Sequence, residues 1–102
     1  MKNMKAAGTR RERQVRDLLI EDGWIVMRAP ASIGAADLVA LKANNTPRFI
    51  QVKAVVGSPY KTFGPAERQE LSMVARQAGG MAQLCHWPPR GPCRWVPEAV
   101  WP

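Results

Sequence analysis

The stretch "ADLVALKANNTPRFIQVK", Ala36–Lys53, reads as a β-hairpin. An apolar strand opens behind Asp37, the polar "ANNTP" makes the turn, and a second strand runs out to Lys53. Side chains alternate faces along a strand, so Gln51 and Lys53 point the same way. A turn centred near Asn45 brings Asp37 roughly opposite Lys53 and puts the odd-numbered residues on one face. Val39, Leu41 and Phe49 continue that face as packing. Asp37, Gln51 and Lys53 then converge at one end of the hairpin, where an otherwise apolar surface holds a carboxylate, an amide and an ammonium. Desolvating such groups is costly unless they pair or bind something.

Two readings of this cluster stay open on the residues alone. In the structural one, Asp37 pairs with Lys53 or caps a strand end, and Gln51 bonds backbone at a sheet edge. In the functional one, Asp37 and the Gln51 oxygen are hard ligands for a divalent cation such as Mg²⁺. Lys53 then orients an attacking water or steadies charge developing on a phosphate.

Upstream, residues 1–8 read as a flexible basic arm. "TRRE" has the form of a capping box and predicts a helix from Thr9, with Val15, Leu18 and Leu19 at helical spacing and Gly23 as the stop. "WIVMRA", Trp24–Ala29, is a first strand ended by Pro30. "PASIGAA" is a loop of small residues leading to Asp37. The hairpin strands are expected at Leu38–Lys42 and Arg48–Ala54. After a longer loop, a second helix is expected over Pro65–Ala78, with Pro at its first position, an apolar stripe of Leu71, Val74 and Ala78, and Gly79–Gly80 at its end. "MAQLCHW", Met81–Trp87, is a fourth strand, and "CRWV" pairs back as a short edge strand. The expected fold is α/β, a small mixed β-sheet flanked by helices in the order α-β-β-β-α-β, forming one domain over residues 9–102.

Composition bounds the partners. The chain carries 15 Lys and Arg against 8 Asp and Glu, a net charge of +7. Lys2, Lys5, Arg10, Arg11, Arg13 and Arg16 crowd the first sixteen residues beside one acid, Glu12. Such a cluster favours a polyanion, because neutralising phosphates releases condensed counterions. No apolar run approaches the roughly 18 residues of a membrane span, and no apolar segment follows the basic N-terminus as in a secretory signal. A soluble, cytoplasmic chain is expected. Cys85 and Cys93 are too few for a disulfide framework, and with His86 they fit no standard zinc spacing, so they read as buried or strand-facing thiols.

Glu12 shares a helical side with Val15 and Leu19, beside the core-facing stripe. It is either the acid of the capping box or a second carboxylate held over the hairpin end. With this residue the pattern becomes specific. The arrangement "GTRRERQVRDLLIEDGWIVMRAPASIGAADLVA…FIQVK" resembles the archaeal-type Holliday junction resolvases, within the PD-(D/E)XK nuclease superfamily. By that resemblance Glu12 takes the helix acid, Arg28 the Arg after the first strand, Ser32 the loop Ser and Asp37 the metal-binding Asp. Gln51 and Lys53 take the acid-x-Lys pair. Ala36 replaces the Pro of the superfamily's name. Gln51 replaces the usual Glu, which removes a charge from the metal site and predicts weaker Mg²⁺ binding or dependence on Mn²⁺.

The resemblance implies metal-assisted hydrolysis of a DNA phosphodiester, with the ion held by Asp37, Gln51, Glu12 and the Val52 carbonyl and with Lys53 assisting the nucleophile. Ser32 and Arg28 would contact the scissile strand, and Arg10, Arg11 and Arg13 neighbouring phosphates. It also implies a homodimer on a four-way junction, since one small chain cannot span two cleavage sites. Trp87, Trp95 and Trp101 with Val96 and Val100 are either the dimer surface or the closure of a small core. Two rival functions remain: another nuclease of the superfamily, VRR-type or restriction-like, and a non-catalytic basic nucleic-acid-binding module.

Overall fold

The computed structural model describes residues 4–30 and 33–102. Helix α1 spans Met4–Glu21, strand β1 Ile25–Arg28, β2 Leu38–Leu41 and β3 Arg48–Lys53. Helix α2 spans Pro65–Gln77, β4 Met81–His86 and β5 Arg94–Pro97, with short 3₁₀ turns at Pro59–Lys61 and Glu98–Val100. The five strands lie in chain order in one sheet. β3 and β4 are parallel, joined by the α2 crossover, and the other neighbours are antiparallel. The expected mixed sheet flanked by helices is therefore the observed one.

One helix boundary differs. α1 begins at Met4, five residues before Thr9, so the arm expected over residues 1–8 is helical from Met4 onward. Thr9 lies inside the helix and cannot be its N-cap; "TRRE" has the capping-box letters without the position. At the other end Gly23 adopts φ +92, a conformation that favours glycine, and the Trp24 amide donates to Leu19 O at 2.9 Å. That closes the helix and turns the chain into β1.

The two faces of the sheet are covered separately. Val15 and Leu19 of α1 pack with Trp24 on Leu38, Ala40, Ile50, Val52 and Cys85. Leu71 and Ala75 of α2 pack with Phe63 on Val39, Phe49, Ala82 and Leu84. β2 and β3 are buried on both faces, which is why they read as near-continuous apolar runs. β1 is a largely exposed edge strand. In α2 the buried positions are Leu71 and Ala75, with Val74 half-buried; Ala78, expected in the stripe, is exposed.

The hairpin register pairs Leu38 with Ile50, Val39 with Phe49 and Ala40 with Arg48. Its centre is Asn44, whose φ of 63 makes the tight turn, and not Asn45. Asp37 therefore faces Gln51 and not Lys53. The odd-numbered residues still share a face, because moving the centre by one residue shifts each partner by two.

Of the two uses left open for the tryptophans, closure of the core accounts for Trp87 and Trp101. Trp101 meets Phe63 edge-on at 5.1 Å and donates Nε1–H to Val96 O at 3.1 Å. Trp87 packs against the α1-side core. Trp95 is 37% exposed and Val100 64%, so less apolar surface is left than the composition implies.

Candidate active site

Five residues mark one rim of the sheet. They are the last residue of β1 (Arg28), Asp37 just before β2, the last residues of β3 and β4 (Lys53 and His86), and the first of β5 (Arg94). Strand direction brings them together, since β1, β3 and β4 end where β2 and β5 begin. The carboxyl ends of parallel strands are where open α/β sheets bind ligands.

Asp37 is fixed before its side chain does anything. Its amide donates to Ile50 O at 2.8 Å and its carbonyl accepts from Ala29 N at 2.9 Å, so the ladder runs one residue past β2 on both sides. Asp37 Oδ2 then accepts the Val52 amide proton at 2.7 Å. Its carboxyl is raised from 3.8 to about 6, by burial first and also by nearby Glu12, against the opposing pull of the Val52 N–H, Lys53 and Arg28. An acid held this way is costly to ionise alone and is relieved by a bound cation.

Gln51 is 6% exposed, the one buried polar side chain among the described core residues. The end of its amide lies against the Ala35 carbonyl and 3.0 Å from Asp37 Oδ2. With nitrogen at that end, it donates to both oxygens. With oxygen at that end, three oxygens face one another with no proton between them, an arrangement that a hard cation satisfies. Turned that way, Gln51 would join Asp37 as an oxygen donor, a set whose chemistry suits a divalent ion. Among the described residues no group of three His, Cys, Asp or Glu could hold a metal; the set is poor in carboxylates, as Gln51 dictates.

Glu12 reaches the same end from α1. It lies inside the helix, so no capping role competes for it. Its side chain is 20% exposed, and Oε1 is 3.9 Å from Arg28 Nε. Glu12, Arg13, Arg16, Val26, Arg28 and Leu38 line a cavity of about 260 Å³. Glu12 is thus near enough to act on Asp37 electrostatically while the arginines stand around it. Ser32 lies outside the described residues.

The arginines expected on phosphate divide in two. Arg10 and Arg13 are exposed on α1, and Arg28 has 72% of its side chain exposed. Arg11 is engaged internally: it donates to Gln14 Oε1 at 2.8 Å and to Pro88 O at 2.7 Å, with its guanidinium 4.5 Å from the Trp87 ring centroid. It bolts the β4–β5 loop to α1. Arg48 is likewise used, stacked between Trp24 (4.9 Å) and Trp95 (4.6 Å) and bonded to Gln83 Oε1 at 2.5 Å.

The soft-ligand trio does not converge. Cys85 faces α1 and lies 3.2 Å, sulfur to sulfur, from Cys93. His86 points to the other face, with Nε2 2.8 Å from Val55 O. Burial pushes the Cys85 thiol up, away from thiolate chemistry. The sequence reading did not single out His86 and Arg94 as rim residues. The available signal was their place at the strand ends beside Lys53.

Comparison with known proteins points the same way. Residues 3–98 match the family model for the archaeal Holliday junction resolvase (Hjc). Among solved structures, Archaeoglobus fulgidus Hjc, a Holliday junction resolvase from an archaeal hyperthermophile, is similar at a TM-score of 0.71 and 26% identity. The match covers 91% of this chain and 74% of that one. No curated protein matches. The family match spans nearly all of the chain, including α1, the hairpin and the rim, and the chain belongs to the archaeal Holliday junction resolvase family.

Proposed function

We propose that the chain is a metal-dependent, structure-specific endonuclease that hydrolyses phosphodiesters at four-way DNA junctions and works as a homodimer. The observation that carries this reading is the meeting of Asp37 and Gln51 at 3.0 Å, within electrostatic reach of Glu12 and Lys53, on a rim whose exposed side chains are largely cationic.

Asp37 and Gln51 would hold a Mg²⁺ ion, or Mn²⁺ in its place, with Glu12 and the Val52 carbonyl as further oxygen donors. Such an ion supplies Lewis-acid activation of water and neutralises charge on the phosphoryl group. The Val52 amide keeps Asp37 Oδ2 aimed, so the carboxylate does not have to be ordered during the reaction. Lys53, two residues from Gln51 on the same face, orients the attacking water or steadies the charge that builds on phosphate. Arg28, Arg10 and Arg13 hold phosphates next to the scissile one, giving affinity without base readout. Arg11, engaged with Pro88 and Trp87, is left out of that role. Ser32 keeps the strand-contacting role that the family resemblance gives it.

One chain carries one such site, and symmetric cuts in two opposed strands need a second copy related by a two-fold axis. The decisive experiment is cleavage of a labelled four-way junction beside a linear duplex and a flap, with Mg²⁺, Mn²⁺ or EDTA, for wild type and Asp37→Ala. Paired symmetric cuts in the junction, abolished by EDTA and by Asp37→Ala, support the resolvase reading. Equal cutting of flap or duplex moves it to another nuclease of the superfamily. Junction binding without cutting in either metal makes the chain a binding module.

A further inference from the structure

Lys53, His86 and Arg94 are mutual register partners on three adjacent strands: Lys53 pairs with His86, and His86 with Arg94. Paired residues on neighbouring strands project to the same face. Their face is fixed by the residues two positions inward. Leu84 lies in the α2-side core with Val96 packed against it, and Gln51 pairs with Leu84. The three basic side chains therefore form one row at the rim, on the face that also holds Gln51. Two strand spacings separate Lys53 from Arg94, roughly 10 Å between Cα atoms.

The row is tied down at its middle and exposed at Arg94. His86 Nε2 lies 2.8 Å from Val55 O, which ties the chain leaving Lys53 back to β4. Trp87 N donates to Lys53 O at 2.8 Å, continuing the ladder past the last pair. Arg94 is exposed. Among the described residues no carboxylate lies within ion-pair distance of Lys53 or Arg94, whereas Arg28 has Glu12 and Arg16 has Asp17. An uncompensated arginine beside a site for phosphodiesters has an anion as its natural partner.

We infer that Arg94 binds a backbone phosphate of the substrate DNA on the β5 side of the scissile bond, with Lys53 at the cut and His86 as a positioning residue between them. Arg13, Arg16 and Arg28 flank Glu12 on the β1 side. Arg94 supplies the opposite flank, so the cleaved strand crosses the whole rim from β1 to β5. The inference rests on the nuclease reading above and gives that site a direction.

The test is junction affinity of the chain in EDTA as a function of salt, together with single-turnover cleavage at saturating protein. The variants are Arg94→Ala, Arg94→Glu and Arg94→Lys. Arg76→Ala, at the exposed end of α2 away from the rim, is the charge control. Losing one phosphate contact flattens the slope of log K against log salt by about 0.9 and weakens binding about eightfold at 0.1 M salt. Arg94→Ala is expected to show both changes, Arg94→Glu a larger loss, and Arg94→Lys near-recovery. Arg76→Ala should leave both the slope and the saturated cleavage rate at their wild-type values. A melting temperature equal to wild type excludes a fold effect. If wild type binds and cuts while Arg94→Ala and Arg94→Glu keep its affinity and slope, the inference is overturned and the nuclease reading stands. If wild type neither binds nor cuts a junction, the nuclease reading falls and the inference with it.

Discussion

Asp37 and Val52 are joined across the hairpin by a hydrogen bond from a backbone amide to a carboxylate oxygen, 2.7 Å long, in a place where burial still raises the acid to about 6. The folded protein therefore binds a proton at Asp37 more tightly than the unfolded chain does. Stability from this group is full below pH 3.8 and is lost as pH rises through about 6. Asp37→Asn removes that cost and keeps an oxygen for the Val52 amide. In EDTA at pH 8 it is expected to be more stable than wild type by about 1–3 kcal/mol, a difference that shrinks to nothing near pH 4. Thermal melts across pH check this. A variant that melts below wild type at pH 8 would contradict the assigned cause.

The same proton competes with a cation. Metal binding needs the ionised carboxylate, so affinity for Mg²⁺ or Mn²⁺ should fall about tenfold for each pH unit below about 6, where Asp37 is protonated. Metal-induced stabilisation, read as the rise in melting temperature with added Mn²⁺ at pH 5 and pH 8, measures it without any cleavage assay.

Gln51→Glu places a second carboxylate beside Asp37. It puts two like charges about 3 Å apart, so without metal it should destabilise the fold, by about 1–3 kcal/mol. With metal, the added charge should lower the Mg²⁺ concentration needed for half-maximal cleavage by about tenfold or more. Cleavage titrations with Mg²⁺ and melts in EDTA read the two effects separately. An unchanged Mg²⁺ requirement would remove Gln51 from the ligand set.

How much of this was legible in the residues follows from what each signal encodes. Periodicity, Gly23, Pro65 and Gly79–Gly80 gave the strands, α2 and the end of α1 to within a residue or two, because backbone conformation is set locally at those positions. The shared face of Asp37 and Gln51 survived a misplaced turn, since the parity of a hairpin does not change when its centre moves one residue. Thr9 misled because a capping box is a local pattern, and Met4–Gly8 continue the helix on the N-terminal side. The use of Arg11 was hidden altogether. Its partners Trp87 and Pro88 are some 76 residues away, and charge counting cannot separate a bolt from a phosphate contact.

Arg11 and Arg13 should accordingly behave differently. Arg11→Ala loses a charged hydrogen bond to Pro88 O and the face of Trp87. About 1–2 kcal/mol of stability should go with them, lowering the melting temperature by roughly 5–15 °C. Its salt slope for DNA binding should match wild type. Arg13→Ala should keep the melting temperature and flatten the slope by about 0.9. Measuring both quantities on both variants separates the roles, and an Arg11→Ala protein with native stability and a reduced slope would reverse the assignment.

Among the described residues of the loop that delivers Asp37, Gly34 is a tight spot. Gly34 sits at φ +74, and a Cβ there would run into the Glu70 side chain, with Cδ 2.7 Å away. Gly34→Ala therefore meets two separate costs. The left-handed conformation costs about 1–2 kcal/mol for any residue with a Cβ, and the clash forces the exposed Glu70 side chain or the loop to move. Adding Glu70→Ala removes the clash and leaves the backbone cost, so the double variant should recover part of the lost stability and stop short of wild type. Activity should follow the loop more steeply than stability does. Gly34 is three residues from Asp37, and a displacement of about 1 Å at a catalytic group can cost on the order of a hundredfold in rate. Denaturant melts and single-turnover cleavage on the single and double variants test both halves. Full recovery in the double variant would mean that backbone conformation at Gly34 carries no cost, and a Gly34→Ala rate equal to wild type would mean that this loop does not set the position of Asp37.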